Sequence, residues 1–212
     1  MVSLKNILKE VKNELKEKEE LKESTQTQIR KAASHSKQAI LLIHQEKIEE
    51  AEKLLEKTKE TISKLNKALE THQEIVNYGL FSAARQEYSE ATILLNLVKK
   101  SKFASHKDIS ISPIDYVLGL ADVIGELRRL ALDAVRTGNV KKGENALQTM
   151  DEIYVELMAL DEVYMLIHGL RRKCDVARKI IDITRGDITQ EVRRQAFETH
   201  LENFRKELLK RT

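Results

Sequence analysis

One proline in 212 residues, Pro113, leaves this chain very little with which to interrupt a helix. Only seven glycines, an aromatic content of 4% and no tryptophan push the same way. Strands draw on aromatic and β-branched side chains, and tight turns draw on Gly and Pro. Charged residues make up 33%, as expected where long helices wet one face and bury another. The expectation is an all-α fold. A chain of this length can bury a real core in one piece, so residues 1–212 are read as a single domain.

The basic and acidic residues, 37 against 34, leave a net charge of +3. That excess is too small to assign a nucleic-acid partner on its own. The single cysteine, Cys174, has no second thiol for a disulfide or a shared zinc site, which fits a reducing, intracellular setting. The first twenty residues lack the apolar centre of a secretion signal. The apolar run AILLI at 39–43 is far too short to span a bilayer. A soluble, cytoplasmic protein without membrane contact is expected.

Periodicity divides the chain into seven helices. The first covers 3–45, with a seam of Leu4, Leu8, Val11 and Leu15 renewed by Ile29, Ala33, Ile40 and Ile43; the polar run STQTQ at 24–28 is where it would bend. The second covers about 47–76, has Ile48, Ala51, Leu55, Ile62, Leu65 and Leu69 at coiled-coil-like spacing, and ends at Asn77-Tyr78-Gly79. These two should form an antiparallel hairpin. A third helix spans 80–98, followed by the one long loop, SKFASHKDIS. Ser112-Pro113-Ile114-Asp115 has the N-cap, first-turn proline and acid of a strong helix start. That fourth helix runs to Arg136, where Thr137-Gly138-Asn139 closes it. A fifth spans about 140–159 and a sixth 162–184, and Gly186 stops the sixth before Asp187 caps the seventh. No repeat of 20 to 50 residues suggests a solenoid.

Three constellations have chemical potential. At 3.6 residues per turn, Glu87 and Glu90 share a side of the third helix with Leu80, Ala83, Ala84, Ala91, Leu94, Leu97 and Val98, while Arg85, Ser89, Thr92 and Asn96 share the other. A carboxylate removed from water needs a partner. That partner can be an arginine of another helix, an oligomer seam that uses the charges as a register device, or a metal ion. Asp122 and Glu126 lie four apart on the fourth helix, beside Asp115, Arg129 and Asp133. An ordinary solvated face would look the same. If the two helices are neighbours, the four carboxylates can converge on a hard cation such as Mg²⁺ or Mn²⁺. A ferritin-like di-iron bundle would use Glu-x-x-His, and none of the six histidines (35, 44, 72, 106, 168, 200) has a Glu three residues earlier.

The third constellation is basic. Arg30, Lys37 and His44 recur every seven residues along the first helix, either as a solvated face or as a stripe that follows a phosphate backbone. Arg128, Arg129, Arg136, Arg171, Arg172, Lys173, Arg193 and Arg194 add less specific clusters. No aromatic ladder is present for base stacking.

Gln86 to Ala91, QEYSEA, and Asp115 to Leu127, DYVLGLADVIGEL, resemble the translin superfamily, in particular its translin-associated factor X branch, which has QEYxEA and DYLxGxADxxGEL. Ser36-Lys37 and Ile43-His44 resemble its first-helix signature, and the order of seven helices is similar. One departure is Gln38, where the signature has Arg.

The resemblance implies a seven-helix bundle of the translin type that assembles into a barrel-shaped homo-octamer, which a second, different subunit can join. It further implies a metal-dependent endoribonuclease in which Glu87, Glu90, Asp122 and Glu126 are the catalytic carboxylates and ligands of Mg²⁺ or Mn²⁺. Single-stranded RNA is then the expected substrate, with single-stranded DNA as a further ligand. Products would carry 5′-phosphate and 3′-hydroxyl ends. Arg30, Lys37 and Arg129 are the expected RNA contacts. Two rivals stand beside this reading: a translin-like oligomer that binds RNA or DNA without cutting it, and a purely structural helical oligomer.

Overall fold

The computed structural model describes residues 3–71 and 76–210. They form α1 (Leu4–His44), α2 (Ile48–Thr71), α3 (Tyr78–Lys100), α4 (Pro113–Arg136), α5 (Val140–Met158), a short 3-10 helix (Asp161–Leu166) and α6 (Leu170–Lys210). The fold is all-α with seven helical elements, and the described residues include no strand. Among them, no helix is long and apolar enough to cross a membrane. The chain divides into two compact units, Met1–Gly119 and Leu120–Thr212, and the division falls within α4.

In the first unit, α1, α2 and α3 pack on one another. The three residues Gln45-Glu46-Lys47 turn α1 into α2, with Glu46 at φ +61°. The amides of Glu46 and Lys47 donate to the carbonyls of Ile43 and Leu42, at 3.0 and 2.9 Å. These bonds satisfy the last orphan carbonyls of α1. The core gathers Ile29, Ile43, Ile62, Phe81, Tyr88 and Leu94, all essentially inaccessible. Only the second half of α1 takes part. Leu4, Leu8, Val11 and Leu15 are exposed, so the expected seam splits into a buried half and an open half. The polar run at 24–28 does not interrupt the helix. Thr25 and Thr27 donate their hydroxyls to the carbonyls of Leu21 and Glu23, at 2.7 and 2.9 Å, a back-bond that helices accommodate.

The second helix was expected to reach Val76. Its described part ends at Thr71; residues 72–75, His72 among them, lie outside the described residues. Asn77 opens α3, its Oδ1 accepting from the amide of Leu80 at 3.0 Å. The start at Ser112-Pro113 is as the sequence predicts. Ser112 Oγ accepts from the Asp115 amide at 3.1 Å and donates to its carboxylate at 2.7 Å.

In the second unit, α5 and α6 pack together around Met150, Ile153, Leu157, Leu170 and Ile181. Gly143 lets α5 approach closely: a Cβ there would meet Val135 Cγ2 at 2.9 Å. The predicted sixth and seventh helices are corrected. Asp161–Leu166 is a 3-10 turn, and the helix begins only at Leu170, after Gly169 at φ +90°. It then runs through Gly186 to Lys210 without a break. A helical glycine costs about 1 kcal/mol relative to alanine. Burial of Thr184 and Ile188 on either side, at 0% and 3% exposure, offsets that penalty and keeps the helix continuous. Beyond Thr189, α6 is largely exposed, Phe197, Leu201 and Phe204 included.

Candidate functional site

The motif QEYSEA is built around its tyrosine. Tyr88, Ser89 and Ala91 are buried, and burial pushes the Tyr88 hydroxyl up to about 12. With the tyrosine anchored in the core, Glu87 and Glu90 fall on a half-buried flank of α3. The face assignment from periodicity is therefore corrected. Ala83 and Val98, read as core, are exposed, whereas Arg85 and Ser89, read as solvated, are buried. Periodicity fails here because the start of α4 covers a polar part of α3 and supplies the charge that Arg85 needs.

That charge is Asp115, which is 1% exposed and was expected on a solvated face. Arg85 Nε lies 2.7 Å from its Oδ2. Ser82 and Ser112 also donate to the same carboxylate. The guanidinium stacks over Phe81, 4.5 Å from the ring centroid, a favourable cation–π placement. One turn further along α4, Gly119 presses on the motif itself: a Cβ there would lie 2.7 Å from both the Gln86 carbonyl oxygen and Ser89 Cβ. Thus the first two turns of α4 are fixed to α3 at QEYSEA by a buried ion pair and a close backbone approach.

The structure also gives Glu87 a cation. Lys37 Nζ of α1 lies 3.2 Å from its Oε1, with the two side chains 65% and 30% exposed. Lys37, expected on RNA, thus rests on a predicted metal ligand. Arg30 is exposed and His44 half-buried on the same helix. His35 is held below its ordinary value, first by burial and then by Lys31 and Lys57, which disfavours the protonated imidazole that acid catalysis would need.

In the second unit, Asp122 is paired in the same way. Lys173 Nζ, from the first turn of α6, lies 2.5 Å from each of its carboxylate oxygens, with the side chains 28% and 36% exposed. Glu126 follows one turn later, half-buried. Arg129 is exposed. Its neighbour Arg128 is tied down, donating to Thr184 Oγ1 at 2.7 Å and pairing with Asp187 at 3.4 Å. Arg194 is committed to Glu191 and Glu198 within α6. Sequence reasoning named Lys173 only within a nonspecific cluster. Its partner stands 51 residues away, beyond any helical spacing rule.

Among the described residues, no group of three or more His, Cys, Asp or Glu side chains is arranged to hold a metal ion. The predicted carboxylates stand as two pairs, each about one turn apart on its helix. Their chemistry still suits Mg²⁺ or Mn²⁺. All donors are carboxylate oxygens, as hard cations require, and at Glu87 and Asp122 positive charge already sits against those oxygens.

The described residues thus form an all-helical chain with half-exposed carboxylates on α3 and α4, two of them with a lysine beside them. Residues 6–183 match the translin family, and this chain belongs to it. An uncharacterised protein of Methanocaldococcus jannaschii is 38% identical over 148 residues, 69% of this chain and 65% of that protein's length. The structure superimposes on AfC3PO with a TM-score of 0.77 at 36% identity, covering 87% of this chain and 96% of the other. For the complex of AfC3PO with duplex RNA the values are 0.76 and 35%, covering 87% and 95%. Apo-NeC3PO, at 23% identity, shares the fold with a TM-score of 0.78 over 90% and 98% of the two chains.

Proposed function

We propose that this protein is a metal-dependent endoribonuclease of the translin-associated factor X type, working as a barrel-shaped homo-octamer in the cytoplasm. The observation that carries the reading is the exposure of the motif glutamates. Tyr88 and Ala91 of QEYSEA serve the core, while Glu87 and Glu90 stay at a half-buried flank of the same helix. Asp122 and Glu126 repeat the pattern on α4. The likeness to AfC3PO, one of whose structures contains duplex RNA, supports an RNA ligand.

Glu87, Glu90, Asp122 and Glu126 would hold Mg²⁺ or Mn²⁺. Such a cation would supply Lewis acidity and a water of lowered pKa, chemistry whose expected products carry 5′-phosphate and 3′-hydroxyl ends. Arg30 and Arg129, both exposed, would bind the phosphate backbone. Lys37 would do so after leaving Glu87.

The test is cleavage of end-labelled single-stranded and duplex RNA with Mg²⁺, Mn²⁺ or EDTA, comparing wild type with Glu90→Ala. The expected result is cation-dependent cutting of single strands that the substitution reduces at least a hundredfold. Cutting that resists EDTA, or products with 2′,3′-cyclic phosphates, would sink the mechanism. Binding without catalysis is the second reading. It is favoured by the lysines that neutralise Glu87 and Asp122, and equal RNA binding by both proteins with no cleavage by either would establish it.

A further inference from the structure

We propose that Lys173 and Lys37 are exchange cations: each neutralises a carboxylate while no divalent ion is present and transfers to an RNA phosphate when one binds. The inference rests on the cation site proposed above, and adds that metal and RNA strengthen each other's binding through these two side chains.

Three observations carry it. First, both ammonium groups sit directly on carboxylates, Lys173 on Asp122 at 2.5 Å to each oxygen and Lys37 on Glu87 at 3.2 Å. A divalent ion taking those oxygens competes with the ammonium groups, because two cations on one carboxylate repel each other at short range. Second, neither pair is sealed. The lysine side chains are 28% and 65% exposed, against 7% for Arg85 in the buried pair. Ion pairs this open to solvent are weakly held, so a ligand can open them. Third, the residue type suits a moving contact. Lysine bears a compact charge on a flexible stem, whereas arginine's rigid fork suits a fixed pairing, and the buried pair in this chain uses arginine.

Coupling of this kind is reciprocal. A cation bound at either carboxylate frees the ammonium group resting on it for phosphate, and RNA that draws that group away removes the competitor for the carboxylate. Apart from whatever contacts the cation itself makes, the lysines alone would then make RNA affinity depend on divalent ions.

The test uses the full-length protein and two readouts that need no turnover. Mn²⁺ binding is measured calorimetrically without RNA, for wild type, Lys173→Met and Lys37→Met. Binding of a labelled single-stranded RNA is measured by fluorescence anisotropy in EDTA or in Ca²⁺, a hard cation that takes oxygen ligands. Removing a lysine should tighten Mn²⁺ binding by about threefold to fivefold. Wild-type RNA affinity should rise several-fold from EDTA to Ca²⁺, and either substitution should shrink that rise. Lys173→Gln provides a polar replacement if the methionine variant folds poorly. Wild-type RNA affinity that ignores Ca²⁺ overturns the proposal, and so does Mn²⁺ binding that is unchanged or weakened in the variants. The endoribonuclease reading fails separately: a protein that shows the coupling but never cuts RNA retains the exchange and loses the catalysis.

Discussion

Arg85 with Asp115 and Lys173 with Asp122 are both cation–carboxylate contacts at 2.5 to 2.7 Å, yet the first pair is 7% and 1% exposed and the second 28% and 36%. The contrast separates charges that build this fold from charges that can leave their partners. A buried pair cannot open without stranding a charge away from water. A half-exposed pair opens into solvent at small cost. The carboxylates proposed to take a cation, Glu87 and Asp122, belong to the second kind.

The largest effect should come from halving the buried pair. Arg85→Met strands Asp115 among Ser82, Ser112 and the first turns of α3, and should destabilise the protein by about 3–5 kcal/mol in chemical denaturation. The double variant Arg85→Met with Asp115→Leu should recover much of that loss, because an apolar pair of similar volume removes the stranded charge. If the single variant loses less than about 1 kcal/mol, the pair is no more structural than the exposed ones and the distinction collapses.

A smaller effect keeps every charge and disturbs only the docking that the buried pair secures. Gly119→Ala places a methyl group 2.7 Å from the Gln86 carbonyl oxygen and Ser89 Cβ. The nearest obstacle is backbone, so α4 must shift. About 1–3 kcal/mol should be lost, and RNA cleavage should fall by more than the loss of folded protein explains, because the shift occurs at QEYSEA. A variant equal to wild type in both would show that α3 and α4 are not held tightly at the motif.

The parts of this architecture that depend on local chemistry were legible in the sequence. The α4 start follows from Ser112 as an N-cap that bonds Asp115 three residues on, with Pro113 at the first helical position, and the Thr137-Gly138-Asn139 stop follows from Gly138 at φ +80°. The motif residues themselves could be named. What could not be read depended on distant contacts. Gly186 looks like a stop until Thr184 and Ile188 are known to be buried on each side of it. Arg85 looks wet until Asp115, 30 positions on, is seen beneath α3. Reversing those two environments also reverses the first argument about the glutamates: they attract attention because folding leaves them half-exposed, not because it buries them.

The smallest stability effect belongs to the exposed pairs, and it tests the other side of the comparison. Lys173→Met and Lys37→Met should each change stability by less than about 1 kcal/mol, with Lys37 the weaker because its side chain is 65% exposed. Denaturation midpoints should differ little between low and high salt for Arg85→Met relative to wild type, since a sealed pair is poorly screened, whereas any small deficit of the lysine variants should fade as salt rises. The decisive outcome is a mismatch between stability and binding: near-wild-type midpoints together with altered Mn²⁺ and RNA affinities. Should the lysine variants instead unfold as readily as Arg85→Met, all three pairs would be structural, and Glu87 and Asp122 would have no exchangeable partner to offer an incoming cation.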